Sequence, residues 1–315
     1  MTEESEHPPE SRPLEVPRCG FVAVVGAPNA GKSTLVNALV GAKVSIVSPR
    51  VQTTRTLVRG IAMYGASQVV FVDTPGIFQP KKRFERAMVA AAWAGAADAE
   101  IILLVVDAVK ASKPGGEEDT DRIVADLKAT NRKALLALNK VDIADKGKLL
   151  ELTQRLNGAG VFTEIYMVSA LTGDGLERIR EVLTGMVPQS PWLFPEDEVT
   201  DMPSRMLASE VTREKLFLNL KQELPYSCAV ETERWEEKRD GSIRVEQVIY
   251  VTRESHRPIV LGQGGQRIKT IGAAARKELE VMFDRRVHLF LHVKVNERWS
   301  EDRALYAAWG LDFNA

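Results

Sequence analysis

The chain has 315 residues, 44% hydrophobic and 27% charged, with 42 Lys and Arg against 43 Asp and Glu and a net charge of −1. That is length for about two domains with apolar cores, and it excludes an intrinsically disordered polymer. No segment reaches the length of a membrane-spanning helix, and the two cysteines, Cys19 and Cys228, lie too far apart in sequence to suggest a disulfide framework, which points to a reducing compartment.

The first 17 residues, MTEESEHPPESRPLEVP, are acidic and proline-rich. They predict a disordered tail, and they are neither a signal peptide nor an Arg-rich transit peptide, so the expected location is the cytoplasm. The apolar, β-branched run FVAVVG, Phe21 to Gly26, then leads into GAPNAGKS and the helical pattern STLVNALVG. Strand, loop and helix together are the context that a G-x-x-x-x-G-K-[ST] phosphate loop needs. Gly26 and Gly31 let the backbone N–H groups turn inward around an anion, and the helix from about Ser33 adds the positive end of its dipole. Lys32 is expected to reach the β- and γ-phosphates and the Ser33 hydroxyl to bind Mg²⁺, with Ala27, Pro28, Asn29, Ala30 and Thr34 completing the cradle.

QVVFVDTPG, Gln68 to Gly76, predicts a second buried strand that ends in Asp73, placed to hold Mg²⁺ through a water. Thr74 and Pro75 complete that turn, and the Gly76 N–H is expected to bond the γ-phosphate. IILLVV, Ile101 to Val106, reads as another core strand. ALLALNKVD, Ala134 to Asp142, runs a strand into NKVD. The Asp142 carboxylate can accept from both the N1–H and the N2–H₂ of guanine, donors that adenine lacks, and leaving that carboxylate unpaired costs on the order of several kcal/mol. Asn139 is expected on the other side of the base, with the Lys140 stem over its face. MVSALTGDG, Met167 to Gly175, adds a strand whose SAL turn, Ser169, Ala170 and Leu171, would set the Ala170 N–H against guanine O6. The two motif sets together indicate GTP and GDP rather than an adenine nucleotide.

Strands at Phe21, Gln68, Ile101, Ala134 and Glu164 alternate with helical patterns at 33–40, 84–96, 118–130, 146–157 and 175–186. The expected fold is an α/β phosphate-loop NTPase domain, residues 18–187, with a mostly parallel sheet flanked by helices and its sites at the carboxyl ends of the strands. RVQTTRTLVRGIAMYG, Arg50 to Gly65, would add one antiparallel edge strand. Only one motif set occurs and no internal repeat is visible.

With its motifs in this order the chain resembles translation-factor-type GTPases. VSIVSPRVQTTRT, Val44 to Thr56, ending in QTTR before DTPG, is similar to the Era family of bacterial GTPases. The resemblance implies that this segment is switch I and that Thr54, or alternatively Thr53, joins Mg²⁺ when GTP is bound. It implies catalytic roles for Lys32, Thr54 and Gly76. Ras-like proteins carry a water-orienting glutamine after DxxG. Here Ile77 stands there, as in Era-like proteins, and the expectation is slow intrinsic hydrolysis. Relatives with P-N-x-G-K-S use the asparagine to ligate K⁺, which implies a K⁺ site at Asn29.

PQSPWLFPEDEVTDMP, starting at Pro188, holds four prolines and cannot be a helix, so residues 188–204 read as a linker. Beyond it come a helix over 209–225, strands at 227–237 and 242–252 joined at RDG, a helix pair flanking Gly262-Gln263-Gly264-Gly265, and a strand in RRVHLFLHVKV. This order resembles a type II KH domain, residues 205–299, followed by a C-terminal helix and tail, 300–315. A GxxG loop between two helices clamps the backbone of single-stranded RNA in such domains. From Arg253 to Lys294 nine Lys and Arg face four acids, concentrating positive charge where RNA would lie. Gln263, Gln266, Arg267 and Lys269 are the candidate phosphate contacts, with Ile259, Ile268 and Ile271 as an apolar floor under the bases. His288 and His292 fall at spacing four on one strand face and read as solvent- or RNA-facing.

The resemblance covers nearly the whole chain. It implies a GTP-hydrolysing switch that binds the 3′ end of 16S rRNA and acts in assembly of the small (30S) ribosomal subunit. The default oligomeric state is a monomer, DNA is not an expected partner, and the family is also found peripherally on the inner face of the membrane. Two other readings remain open: an RNA-binding module whose nucleotide is structural, and a regulatory GTPase with a protein or membrane partner.

Overall fold

A computed structural model describes residues 16–315; the predicted disordered tail lies outside the described residues except for Val16 and Pro17. The first domain is a six-stranded sheet in the order β2-β3-β1-β4-β5-β6. Its strands are β1 (Arg18–Val25), β2 (Val58–Tyr64), β3 (Ser67–Asp73), β4 (Ile101–Asp107), β5 (Ala134–Asn139) and β6 (Phe162–Val168). All neighbours pair in parallel except β2, which runs antiparallel to β3 at the edge. Strands β3, β4 and β5 are near-continuous apolar runs because both faces of the sheet are covered. On one face α1 (Lys32–Val40) and α6 (Leu176–Met186) bury Leu35, Val36, Leu39, Ile179 and Leu183. On the other, α2 (Arg83–Asp98), α4 (Glu118–Ala129) and α5 (Lys146–Asn157) bury Ala92, Ala96, Ile123, Leu127, Leu149 and Leu152. A single turn, α3 (Ala108–Ala111), follows β4.

The edge strand is shorter than its sequence suggests. It begins at Val58, and residues 44–57 form no strand or helix. Those residues make their hydrogen bonds to Asn37 of α1, to the phosphate loop, to Asp73 and to the second domain rather than forming a strand ladder. The linker also departs from a free tether, because it is strapped across β1 and β3 to the edge strand β2. The Cys19 N–H donates to the Pro188 carbonyl at 3.1 Å, the Ile61 N–H to the Val199 carbonyl at 2.9 Å, and Gln68 both accepts from and donates to the backbone at Leu193 and Phe194. The strap thereby pairs backbone groups that an open edge would expose.

The second domain is α7 (Ser204–Asn219), β7 (Cys228–Glu237), β8 (Ile243–Val251), α8 (His256–Leu261), α9 (Gln266–Phe283) and β9 (Val287–Val295). The β7–β8 hairpin turns at Gly241, φ 79°. β9 pairs in parallel with β8, which requires the crossover that α8 and α9 provide. Helices α7 and α9 cover one sheet face, with Leu216, Leu220, Ile249, Val251, Ile271, Ala275 and Leu279 in the core. The C-terminal segment contains only a short helix, α10 (Arg303–Ala308). Trp299, Leu305, Tyr306 and Leu311 pack against Phe84, Ala87, Met88 and Ala91 of α2, so the tail closes over the GTPase domain.

Candidate nucleotide and RNA sites

The phosphate loop leaves β1 beside β3 and β4, where successive connections from the sheet diverge and open a crevice. Gly31 caps α1 at φ 93°, a left-handed conformation that favours glycine, and a Cβ there would collide with the Asn139 amide. Gly76 approaches just as closely: a Cβ would lie 2.9 Å from the Pro28 ring. A cleft of about 410 Å³ results, lined by loop residues, by residues 46–50 and 52–54, and by Gly76, Asp107, Lys110 and Lys140.

Lys32 is buried and curls across the loop, donating to the carbonyls of Gly26 at 3.0 Å and Ala27 at 3.1 Å. Burial pushes its pKa down to about 8, against the pull of Asp73. Asp73 is itself fully buried, and burial pushes its carboxyl up while hydrogen bonding from Ser33 and the Lys32 charge pull it down.

Ser33 Oγ donates to Asp73 Oδ2 at 2.6 Å and lies 2.8 Å from Thr54 Oγ1, which is 3.3 Å from the same carboxylate oxygen. Thr53 turns elsewhere, onto Ser48 and the Arg50 carbonyl. Among the described residues, Asp73 Oδ1 is buried without a hydrogen-bond partner. Two hydroxyls converging on a carboxylate with one oxygen unpaired is a hard donor set that suits Mg²⁺.

Thr74 donates to the Val24 carbonyl at 2.8 Å and fixes the strand end, and Pro75 is buried beside it. Ile77 is 1% exposed and packs in the core against α2, so its side chain faces away from the cleft. Ala27 and Ala30 are buried, Pro28 and Thr34 half-buried, and Asn29 exposed at φ 64° with its Nδ2 3.3 Å from the Pro49 carbonyl.

The expected base end is built around Asn139. Its Nδ2 donates to the Ala30 carbonyl and its Oδ1 accepts from the Ala170 and Lys140 N–H groups, each at 2.9 Å. The Ala170 N–H, expected against guanine O6, is therefore engaged by Asn139. Lys140 lies across the loop, donating to the Asn29 carbonyl at 2.9 Å and pairing with Asp107 at 2.6 Å. Asp142 sits exposed in the turn Val141–Ile143. Ser169 is buried, and Leu171 is 82% exposed.

Asp107 is absent from the reading of the sequence. It caps α3 through the N–H groups of Val109 and Lys110 and holds Lys140 with its other oxygen. The signal was present: like VVFVD, the run LLVVD closes a buried strand with an aspartate.

In the second domain the GxxG loop is open to solvent. Gln263, Gly264, Gln266, Arg267 and Lys269 are all exposed, and Gly264 and Gly265 adopt φ 57° and 75°. At Gly262, φ 74°, a Cβ would meet the Arg267 Cβ at 2.6 Å. Arg267 folds back to donate to the Ile259 carbonyl. The expected apolar floor is corrected. Ile259 is 47% exposed, but Ile271 is completely buried in the domain core and presents nothing to a base. Ile271 lies one helical turn beyond Ile268 and joins Val260, Ile249, Val251 and Val293 in the core instead. His292 is exposed and His288 half-buried.

Residues 21–140 match the family described as 50S ribosome-binding GTPase, and residues 223–300 match the KH domain family. The chain is 55% identical over 296 residues to the GTPase Era of Brucella melitensis, covering 94% of each protein. The chain belongs to the Era family of GTPases. It is 53% identical to GTPase Era of Rhizobium meliloti, covering 94% of this chain and 93% of the relative. Two solved structures share the fold at TM-score 0.86 and 37% identity, over 93% of this chain and 99% of each relative. One is an Aquifex aeolicus Era variant bound to GDP·AlF4⁻. The other is Era with MgGDPNP and nucleotides 1506–1542 of 16S ribosomal RNA. The protein is thus a GTPase carrying a C-terminal KH domain.

Proposed function

We propose that the protein is a GTP-gated RNA-binding switch whose KH domain takes the single-stranded 3′ end of 16S rRNA and which acts in assembly of the 30S subunit in the cytoplasm. The observation that carries this reading is the near-full-length likeness to an Era captured with MgGDPNP and that stretch of rRNA, joined to an exposed GxxG loop in this chain. Phosphoryl transfer asks mainly for positioning and charge neutralisation. Lys32 supplies a buried positive charge to the phosphates. Ser33, Thr54 and Asp73 would hold Mg²⁺, which neutralises charge developing on the phosphate oxygens. Gly76 offers a backbone N–H without a side chain in the way, and Asp142 and Lys140 select and cover guanine. Ile77, at the position where Ras-like proteins carry the glutamine, is turned into the core and orients no water, which supports slow intrinsic hydrolysis. Asn29, exposed at the cleft with its Nδ2 toward the Pro49 carbonyl, would ligate K⁺ through its Oδ1, and hydrolysis at equal rates in KCl and NaCl would remove that assignment.

The decisive measurement is binding of labelled RNA matching that 3′ end, with GDP and with a non-hydrolysable GTP analogue, for the natural protein and Gly264→Asp. A Cβ at Gly264 meets nothing within 4 Å, so the substitution adds charge repulsion and local strain without a collision. Tighter binding with the analogue, lost in the variant, supports the switch. Equal binding in both states would leave a GTPase tethered to RNA irrespective of nucleotide.

A further inference from the structure

Helix α7 of the KH domain lies along residues 43–55 of the GTPase domain and grips them at several points. Glu214, buried, accepts from Lys43 Nζ and from the Val47 N–H, both at 2.8 Å. Arg50 reaches across to the C-terminal turn of α7, donating to the carbonyls of Phe217 at 2.7 Å and Leu220. The last carbonyls of a helix lack intrahelical partners and carry its negative end, so a guanidinium is well placed there.

Around Thr54 the grip is closest. Arg213, 1% exposed, donates to the Thr53 carbonyl and pairs with Glu210. Arg55, 2% exposed, donates to the Cys228 carbonyl at 2.8 Å. Its guanidinium lies 5.4 to 5.7 Å from the rings of Phe84, Phe217 and Trp299. The residues on both sides of Thr54 are therefore fixed from the KH domain, while the Thr54 hydroxyl stays beside Ser33 and Asp73.

We propose that Arg213 is a positioning residue for GTP hydrolysis: from the KH domain it holds the Thr53–Thr54 peptide at the metal site, so the GTPase centre is complete only with α7 seated. The inference rests on the reading of Thr54 as the switch threonine. Ordering a loop costs entropy for each residue fixed, and a helix that already holds the loop lowers that cost when GTP binds. Coupling of this kind is reciprocal, so GTP in turn favours the seated position of α7.

The test compares Arg213→Met, Arg213→Lys and Thr54→Ala in the full chain with Mg²⁺, reading GDP and GDPNP affinities, single-turnover hydrolysis and tryptic cleavage after Arg50. Thr54 matters only in the triphosphate state. Arg213→Met should leave GDP affinity unchanged, weaken GDPNP about tenfold, as loss of one charge-assisted hydrogen bond implies, and speed cleavage in the GDPNP complex; Arg213→Lys should recover part of each. If Thr54→Ala shows the GDPNP-specific loss and Arg213→Met does not, the proposal fails while the Thr54 assignment stands. If Thr54→Ala leaves GDPNP affinity unchanged, that assignment fails and takes the proposal with it. An equal loss of GDP and GDPNP affinity in Arg213→Met would also overturn it, by showing general damage to the fold.

Discussion

The Asn139 side chain donates to the Ala30 carbonyl at 2.9 Å, tying the end of β5 to the loop between β1 and α1. The same carboxamide accepts from the Ala170 N–H, so one buried side chain joins three segments separated in sequence. Asn139→Ala should therefore lower both stability and nucleotide affinity. The substitution frees three backbone groups, the Ala30 carbonyl and the Ala170 and Lys140 N–H groups, and leaving the two buried ones at Ala30 and Ala170 unpaired suggests a loss of about 2–4 kcal/mol, measurable as a lower denaturation midpoint. An unchanged midpoint would mean that water replaces the amide without cost.

Asp142 lies on the opposite side of this distinction. It is exposed, so Asp142→Asn should leave the denaturation midpoint within about 0.5 kcal/mol of the natural protein while reducing the preference for guanine over xanthine nucleotides. Undiminished GDP affinity would remove Asp142 from the base site.

The depressed pKa of Lys32, about 8, predicts a pH dependence of binding. Empty protein loses the lysine proton as pH rises through that value, whereas a lysine against a triphosphate keeps it. Binding then takes up a proton, and GTP affinity should fall by at most about tenfold per pH unit above the free-state pKa. Calorimetry in buffers of different ionisation enthalpy reads the uptake directly. A flat profile between about pH 7 and about pH 9 would show that Lys32 stays charged without nucleotide.

Restoring a glutamine after DTPG should not restore Ras-like water positioning. Ile77 is 1% exposed and packed against α2, so Ile77→Gln buries a polar amide and should cost about 1–3 kcal/mol. Single-turnover hydrolysis should be no faster. A clear acceleration would mean that this turn flips its side chain toward the cleft.

The aromatic tail over α2 makes a separate prediction. Trp299 is 2% exposed and stacks edge-on with Phe84 at 5.7 Å, and it also faces Arg55. Trp299→Ala should destabilise the protein by about 3–5 kcal/mol, seen as a lower denaturation midpoint. If stability is unaffected, the tail is not part of the cooperative unit.

What was legible in the sequence was whatever short-range pattern dictates. The phosphate loop, DTPG and NKVD each sit at the end of an apolar run, and burial of both faces of a parallel sheet leaves such runs few alternatives, so a mostly parallel sheet with these motifs at the ends of its strands followed, while the order of the strands did not. The KH order followed likewise from helix and strand periods around a glycine loop. The sequence could not say that Ala170 would bond Asn139, that Ile271 would turn into the core, or that Lys140 would pair with Asp107, since each depends on which faces meet after the strands align. Least legible were Arg55 and Arg213. Both look like solvent-facing charges in a linear reading, yet both are buried where the two domains and the tail converge. Only tertiary packing could place the carbonyls and aromatic rings that hold them there, because a guanidinium is buried only where partners from distant segments replace its water.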